Sequence, residues 1–100
     1  MSVDNSLSDE VLDMLMDVSQ RADPPPWTAI VEGRDQLGGD SFIMIGMPNA
    51  LMTDMYVTRD RIPADPAELD VIALSRSYLP LLVHEVRRLR GLVDADGERA

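Results

Sequence analysis

Apolar residues near the N-terminus recur at helical spacing and predict a first helix that begins at Ser8. They are Val11, Leu15, Val18 and Ala22, widened by Leu12 and Met16. The Ser8 hydroxyl is a suitable N-cap, because it can accept a hydrogen bond from the first helical turn. Prolines at positions 24–26 require this helix to end by Asp23.

The middle of the chain alternates between apolar and polar residues and predicts three strands, over 27–32, 41–46 and 54–60. The segment 41–46 is apolar on both faces and is expected to be the central strand. Gly38-Gly39 is typical of a hairpin loop, and short connections favour an antiparallel meander.

In the last third of the chain, apolar residues recur at helical spacing and predict helices. Asp65-Pro66-Ala67-Glu68 is a strong helix start, and a second helix is expected from Ser77, with Pro80 in its first turn and Gly91 at its end. The predicted fold is therefore α+β, with an N-terminal helix, a three-stranded antiparallel sheet and a C-terminal helical hairpin. A heptad row in the last helix predicts either core packing or a homodimer seam. Its members are Leu79, Leu82, Val86, Leu89 and Val93.

With 100 residues, the chain is long enough for one domain. We expect a flexible N-terminus over 1–7, a single α+β domain over 8–91 and an acidic flexible tail over 92–100. The chain has no cysteine and one histidine, which argues against thiolate chemistry and histidine-based metal sites, so no cofactor or metal is expected.

The net charge of -9 argues against direct nucleic-acid binding. Five acidic residues and no basic residue lie in the first 20 positions, while Arg87, Arg88 and Arg90 cluster near the other end. The apolar runs are too short to span a membrane, and the first eight residues lack the features of a secretory signal. The expected location is the cytoplasm.

Two segments carry a family resemblance. The sequence Ala-Asp-Pro-Pro-Pro-Trp at 22–27 resembles a proline-rich motif before tryptophan in small actinobacterial and actinophage proteins, with Pro25 in place of their usual glycine. The segment 67–90 is similar to their C-terminal motif, Val/Leu-Pro-x-Leu-x-x-Glu-Val-x-Arg-Leu-Arg. Such proteins are often grouped with the Ead-like early phage proteins. The resemblance implies a mobile-element or actinobacterial accessory protein of unknown function, and it supplies no activity, cofactor or catalytic residue to carry over.

Two groups of residues are candidate contacts for a protein partner. The first is an acidic ridge on the predicted first helix, formed by Asp9, Asp13 and Asp17. The second is a methionine group around the third strand, formed by Met47, Met52 and Met55, whose flexible side chains suit adaptable contacts or core filling.

These features favour a non-enzymatic, protein-binding accessory protein, such as a phage- or prophage-encoded modulator of a host protein. One alternative is an acidic DNA mimic or toxin-immunity inhibitor, because helical aspartates four residues apart repeat about every 6 Å. The second alternative is a small enzyme, which would have to use Arg76, Tyr78 and His84 without a recognisable catalytic motif.

Overall fold

The computed structural model describes residues 7–47 and 52–99, which form two helices and five short strands. The elements are α1 (Asp9–Arg21), β1 (Trp27–Ile30), β2 (Phe42–Ile45), β3 (Thr53–Met55), β4 (Thr58–Arg59), β5 (Ile62–Pro63) and α2 (Pro66–Arg99). The α+β class, the N-terminal helix and the three-stranded antiparallel sheet are confirmed. Residues group into two compact units. The sheet unit is Asp23–Tyr78, and the helical unit contains residues 7–22 and 79–99.

The sheet unit is built on β2, which pairs antiparallel with β1 on one side and β3 on the other. Ile43, at the centre of β2, is fully buried. Its covered face packs against the first turns of α2 in one apolar cluster. The cluster consists of Ala29, Ile43, Ala64, Leu69 and Ala73, with Trp27, Ile45, Met55, Val57 and Ile72 packed around it. The predicted central strand is confirmed.

The predicted third strand over 54–60 is shorter than expected. β3 ends at Met55, and β4 pairs instead with β5 in a separate antiparallel hairpin. The chain reverses there at Asp60, whose φ of 57° lies in the left-handed region that aspartate tolerates better than most residues. The Ala64 amide donates to the Val57 carbonyl at 2.9 Å and closes the base of this hairpin.

The predicted C-terminal helical hairpin is not confirmed, because α2 is one helix of 34 residues. Ser77 does not cap a second helix, since its hydroxyl bonds to the backbone of Trp27 instead. Pro80 lies inside α2 and removes one backbone hydrogen bond without ending the helix. Gly91 also lies inside the helix rather than at its end, a position that costs about 1 kcal/mol relative to alanine.

α1 begins as predicted, with the Ser8 hydroxyl accepting from the Val11 amide at 3.2 Å. The helix is rotated relative to the predicted apolar face. Leu12 and Ser19 are its buried residues, whereas Val18 is exposed. The apolar row that looked like core in the sequence is therefore shared between a buried side and an exposed flank.

Candidate functional site

The acidic ridge of α1 lies beside arginines that neutralise it. The pairs are Asp9–Arg90 at 3.9 Å, Asp13–Arg87 at 2.5 Å and Asp17–Arg21 at 3.1 Å. All three carboxylates are largely exposed. Exposed pairs of this kind contribute little stability individually, but they reduce the charge that the ridge presents to a basic partner.

The arginine cluster near the end of α2 is used in the same way. Arg87 and Arg90 bind the ridge of α1, and Arg88 pairs with Glu85 one turn earlier. The hydrogen bonds from Arg88 hold the pKa of Glu85 below its ordinary value, because they stabilise the charged carboxylate. Each of the three arginines is therefore paired with a carboxylate of the helical unit.

The methionine group is divided between core and surface. Met55 is half-buried and packs against the core cluster of the sheet unit. Met47 and Met52 are exposed. The loop between them, over 48–51, lies outside the described residues. Two of the three methionines are therefore available for contact with a partner.

The predicted dimer seam lies on one flank of α2. Leu79 and Val86 are half-buried, while Leu82, Leu89 and Val93 are exposed. The buried residue of this stretch is Val83, which the heptad row does not include. The heptad row is therefore offset around the helix from the buried side of α2, and three of its five side chains are exposed.

Within the helical unit, α1 and the end of α2 run antiparallel. Asp13 pairs with Arg87, and Asp9 pairs with Arg90. Residue numbers on α2 therefore rise in the direction in which those on α1 fall. The residue numbers of two side chains that lie level on α1 and α2 therefore add up to about 100. This register decides which apolar side chains of the two helices lie side by side.

The flank opposite the Asp13–Arg87 pair is apolar on both helices. On α1 it carries Val11, Met14 and Val18, and on α2 it carries the seam residues from Leu82 onward. By the register of the ion pairs, Val11 lies level with Leu89, Met14 with Val86, and Val18 with Leu82. Leu7, just before the N-cap of α1, and Val93 on α2 extend this flank. We call these eight residues the helical-pair face. Val11 and Val86 are half-buried, and the other six are exposed, from 43% at Leu7 to 68% at Val93.

A second apolar surface lies on the sheet unit, on the face of the sheet opposite the core cluster. By strand alternation it carries Ile30, Phe42, Met44 and Tyr56. The rings of Phe42 and Tyr56 pack at a centroid distance of 5.5 Å. Three of the four side chains are half-buried, whereas six of the eight on the helical-pair face are exposed.

Polar residues of the sheet unit mainly hold its elements together. The Ser77 hydroxyl accepts from the Trp27 amide and donates to the Trp27 carbonyl, both at 3.2 Å. Arg34 binds Asp70 through two hydrogen bonds of 2.8 and 2.9 Å, which lower the pKa of the Asp70 carboxyl. Ser77 and Asp70 both belong to α2, so the helix meets β1 at Trp27 and the segment after β1 at Arg34. Sequence reasoning missed both contacts, because each joins residues that are far apart in the chain.

Of the residues considered for an enzyme, Arg76 and Tyr78 belong to the sheet unit and His84 to the helical unit. The Arg76 guanidinium donates to the Asp23 carbonyl at 2.9 Å, which also accepts from the Trp27 indole. His84 is exposed on α2. Among the side chains that the structure describes, in residues 7–47 and 52–93, no group of three acidic or histidine residues is placed to hold a metal ion.

Over the same part of the chain, neither helix is long and apolar enough to cross a bilayer. No protein family, curated protein or solved structure matches this chain. The geometry of its own residues is therefore the basis for any functional assignment.

Proposed function

We propose that the protein is a non-enzymatic, protein-binding accessory protein that uses the helical-pair face as its contact surface. The observation that carries the proposal is the alignment of apolar side chains from two helices on one flank, with six of eight exposed. Scattered exposed apolar residues are ordinary on a protein surface, whereas a contiguous patch is typical of a binding surface. An accessory role in a phage or prophage rests on the family resemblance.

The shape of the face favours a helical partner. Two antiparallel helices form a shallow groove, and the apolar rows on each side repeat at helical spacing. A partner helix with apolar residues at the same spacing would fill this groove. The exposed Met14 supplies a flexible side chain near its centre, which suits contact with an imperfectly matched surface.

The acidic-mimic alternative receives less support from the geometry. Such a protein needs free carboxylates that replace nucleic-acid phosphates, but each ridge aspartate lies beside an arginine of the same unit. A basic site on a partner would first have to replace the arginines that pair with these aspartates within the chain. The ridge is better explained as a set of intramolecular contacts that favour one register of the two helices.

The experiment is affinity capture from an actinobacterial lysate with the full chain and two variants. Leu82→Glu places a charge in the helical-pair face at a side chain that is 58% exposed, so the fold should tolerate it. Leu37→Glu makes the same change at a fully exposed residue of the sheet unit and is the matched control. We expect a protein captured by the original chain and by Leu37→Glu to be lost with Leu82→Glu.

Two results would count against the proposal. If all three chains capture the same proteins, the helical-pair face does not mediate binding. If the original chain captures nothing specific, the face is not a surface for other cellular proteins under these conditions. Circular dichroism of each variant establishes that its helix content is intact before the capture results are compared.

A further inference from the structure

We propose that the occupant of the helical-pair face is a second copy of this chain, with α1 of each copy lying on α2 of the other. The inference rests on the proposed function, because it takes the face to be a protein-binding surface. It goes further by naming the partner and the arrangement. The result is a four-helix bundle made from two helical units related by a two-fold axis parallel to the helices.

The first argument is that the face is complementary to itself. The level pairs place an apolar residue of α1 beside one of α2 at three successive heights. A two-fold axis parallel to the helices keeps every residue at its own height. Val18 of one copy then meets Leu82 of the other, and Val11 meets Leu89. Each height gains two more apolar residues, which gives four-residue layers of the kind found in helix bundles.

The second argument is charge. In the described helix α1, Asp9, Glu10, Asp13 and Asp17 against Arg21 leave -4 + 1 = -3. In α2 from 79 to 93, three arginines against Glu85 give +3 - 1 = +2. Placing α1 on α2 of the other copy joins an acidic helix to a basic one. Placing α1 on α1 would join two acidic helices. The ridge aspartates lie on the opposite flank and pair with arginines of their own copy, so the net charges act at longer range and favour the mixed arrangement modestly.

Helix direction agrees with this choice. Since α1 and α2 are antiparallel within one copy, the mixed arrangement makes every adjacent pair of helices in the bundle antiparallel. The helix dipoles of neighbours are then opposed, which is the favourable orientation. The two α1 helices lie on a diagonal and do not touch.

The size of the face sets the expected strength. α1 has 13 residues and is about 20 Å long, and two adjacent helices are about 20 Å wide. A face of this area is at the small end of specific interfaces. We therefore expect a monomer–dimer equilibrium that depends on concentration, rather than a permanent dimer.

Sedimentation equilibrium of the full chain, from about 5 to about 500 μM, tests the association because this range brackets an equilibrium of micromolar strength. The mass should rise from 11.1 kDa towards 22.2 kDa, which is twice the mass of one chain. Leu37→Glu should behave like the original chain, and Leu82→Glu should weaken association about tenfold or more. Val93→Glu is a second face variant in case Leu82→Glu fails to fold.

Cysteine cross-linking tests the arrangement, since the chain has no cysteine of its own. A Val18→Cys chain mixed with a Leu82→Cys chain should form a mixed disulfide on mild oxidation, because their Cα atoms would lie within the range a disulfide spans. Val18→Cys alone should cross-link poorly. Efficient cross-linking of Val18→Cys to itself would overturn the mixed arrangement.

The remaining outcomes are separable. A mass of 11.1 kDa throughout the range, or equal association of the original chain and both face variants, would overturn the second-copy proposal. If the chain is monomeric but Leu82→Glu still abolishes capture of a cellular protein, the proposed function stands and this inference fails. If the chain dimerises through the face and captures no other protein, the second-copy inference is supported and binding of another cellular protein is not.

Discussion

The contact between Ser77 and Trp27 gives the sharpest test of how the sheet unit is held together. Ser77 lies on α2, and its single hydroxyl serves both backbone groups of Trp27 at the outer edge of β1. In Ser77→Ala the amide and the carbonyl of Trp27 both lose their partner. The site is partly buried, so water can replace these bonds only in part.

The magnitude follows from two opposing effects. Each lost hydrogen bond at a partly buried site costs roughly 1 kcal/mol, which gives about 2 kcal/mol for the two. Alanine is the better helix former and returns about 0.5 kcal/mol. We therefore expect Ser77→Ala to lower the free energy of unfolding of the sheet unit by about 1.5 kcal/mol.

Urea unfolding followed by fluorescence measures this change, because Trp27 is the only tryptophan and lies at the contact. Ser75→Ala is the matched control. It makes the same substitution two residues away on an exposed part of α2, so it should be neutral or slightly stabilising. Amide exchange of Trp27 should accelerate in Ser77→Ala alone. Equal stability of the two variants, with unchanged exchange at Trp27, would refute the assigned contact.

Three further predictions concern the core, a turn and an ion pair. Ile43→Ala should lower the free energy of unfolding by about 3 to 4 kcal/mol, because a fully buried side chain leaves a cavity; a loss below about 1 kcal/mol in urea unfolding would contradict its place in the core. Gly33→Ala should cost about 1 kcal/mol, since Gly33 has a φ of 82°, whereas Gly38→Ala should cost less in the same assay. The hydrogen bonds from Arg34 lower the pKa of Asp70 in the folded protein, so the pair stabilises the fold at pH values above the ordinary pKa of aspartate. This contribution is lost as the pH falls below about 4. Asp70→Asn should therefore flatten the acid side of the stability profile, and a profile identical to that of the original chain would argue against the pair.

The local signals in the sequence predicted several elements correctly, because each depends on neighbours along the chain. Ser8 caps α1, and Glu68 accepts from the Asp65 amide at the start of α2, as their spacing indicates. The segment 41–46 is central because it is apolar on both faces. In each case, residues within a few positions of one another contain the information.

The errors arise where a residue is used by a distant part of the chain. Serine is a suitable residue for the start of a helix, but the hydroxyl of Ser77 binds the backbone of Trp27, 50 residues earlier. Pro80 looks like a helix boundary, yet α2 continues through it. In the predicted apolar row of α1, Leu12 is buried and Val18 is exposed, although the two are equally apolar in the sequence and only packing distinguishes them.

The charged and apolar sides of the helical unit depend on the same register. The Asp13–Arg87 pair joins α1 to α2 on one flank, in the register that brings Val18 level with Leu82 on the other. A shift of one helical turn would separate the ion pair and move every apolar pair by about 5.4 Å. The acidic ridge therefore favours the register in which the two apolar rows lie level, although each exposed pair contributes only modestly to it. Reversing Asp13 and Arg87 together should preserve both the register and the association, whereas reversing Asp13 alone should weaken both. Association that is insensitive to the single reversal would separate the charged flank from the apolar face and remove this link.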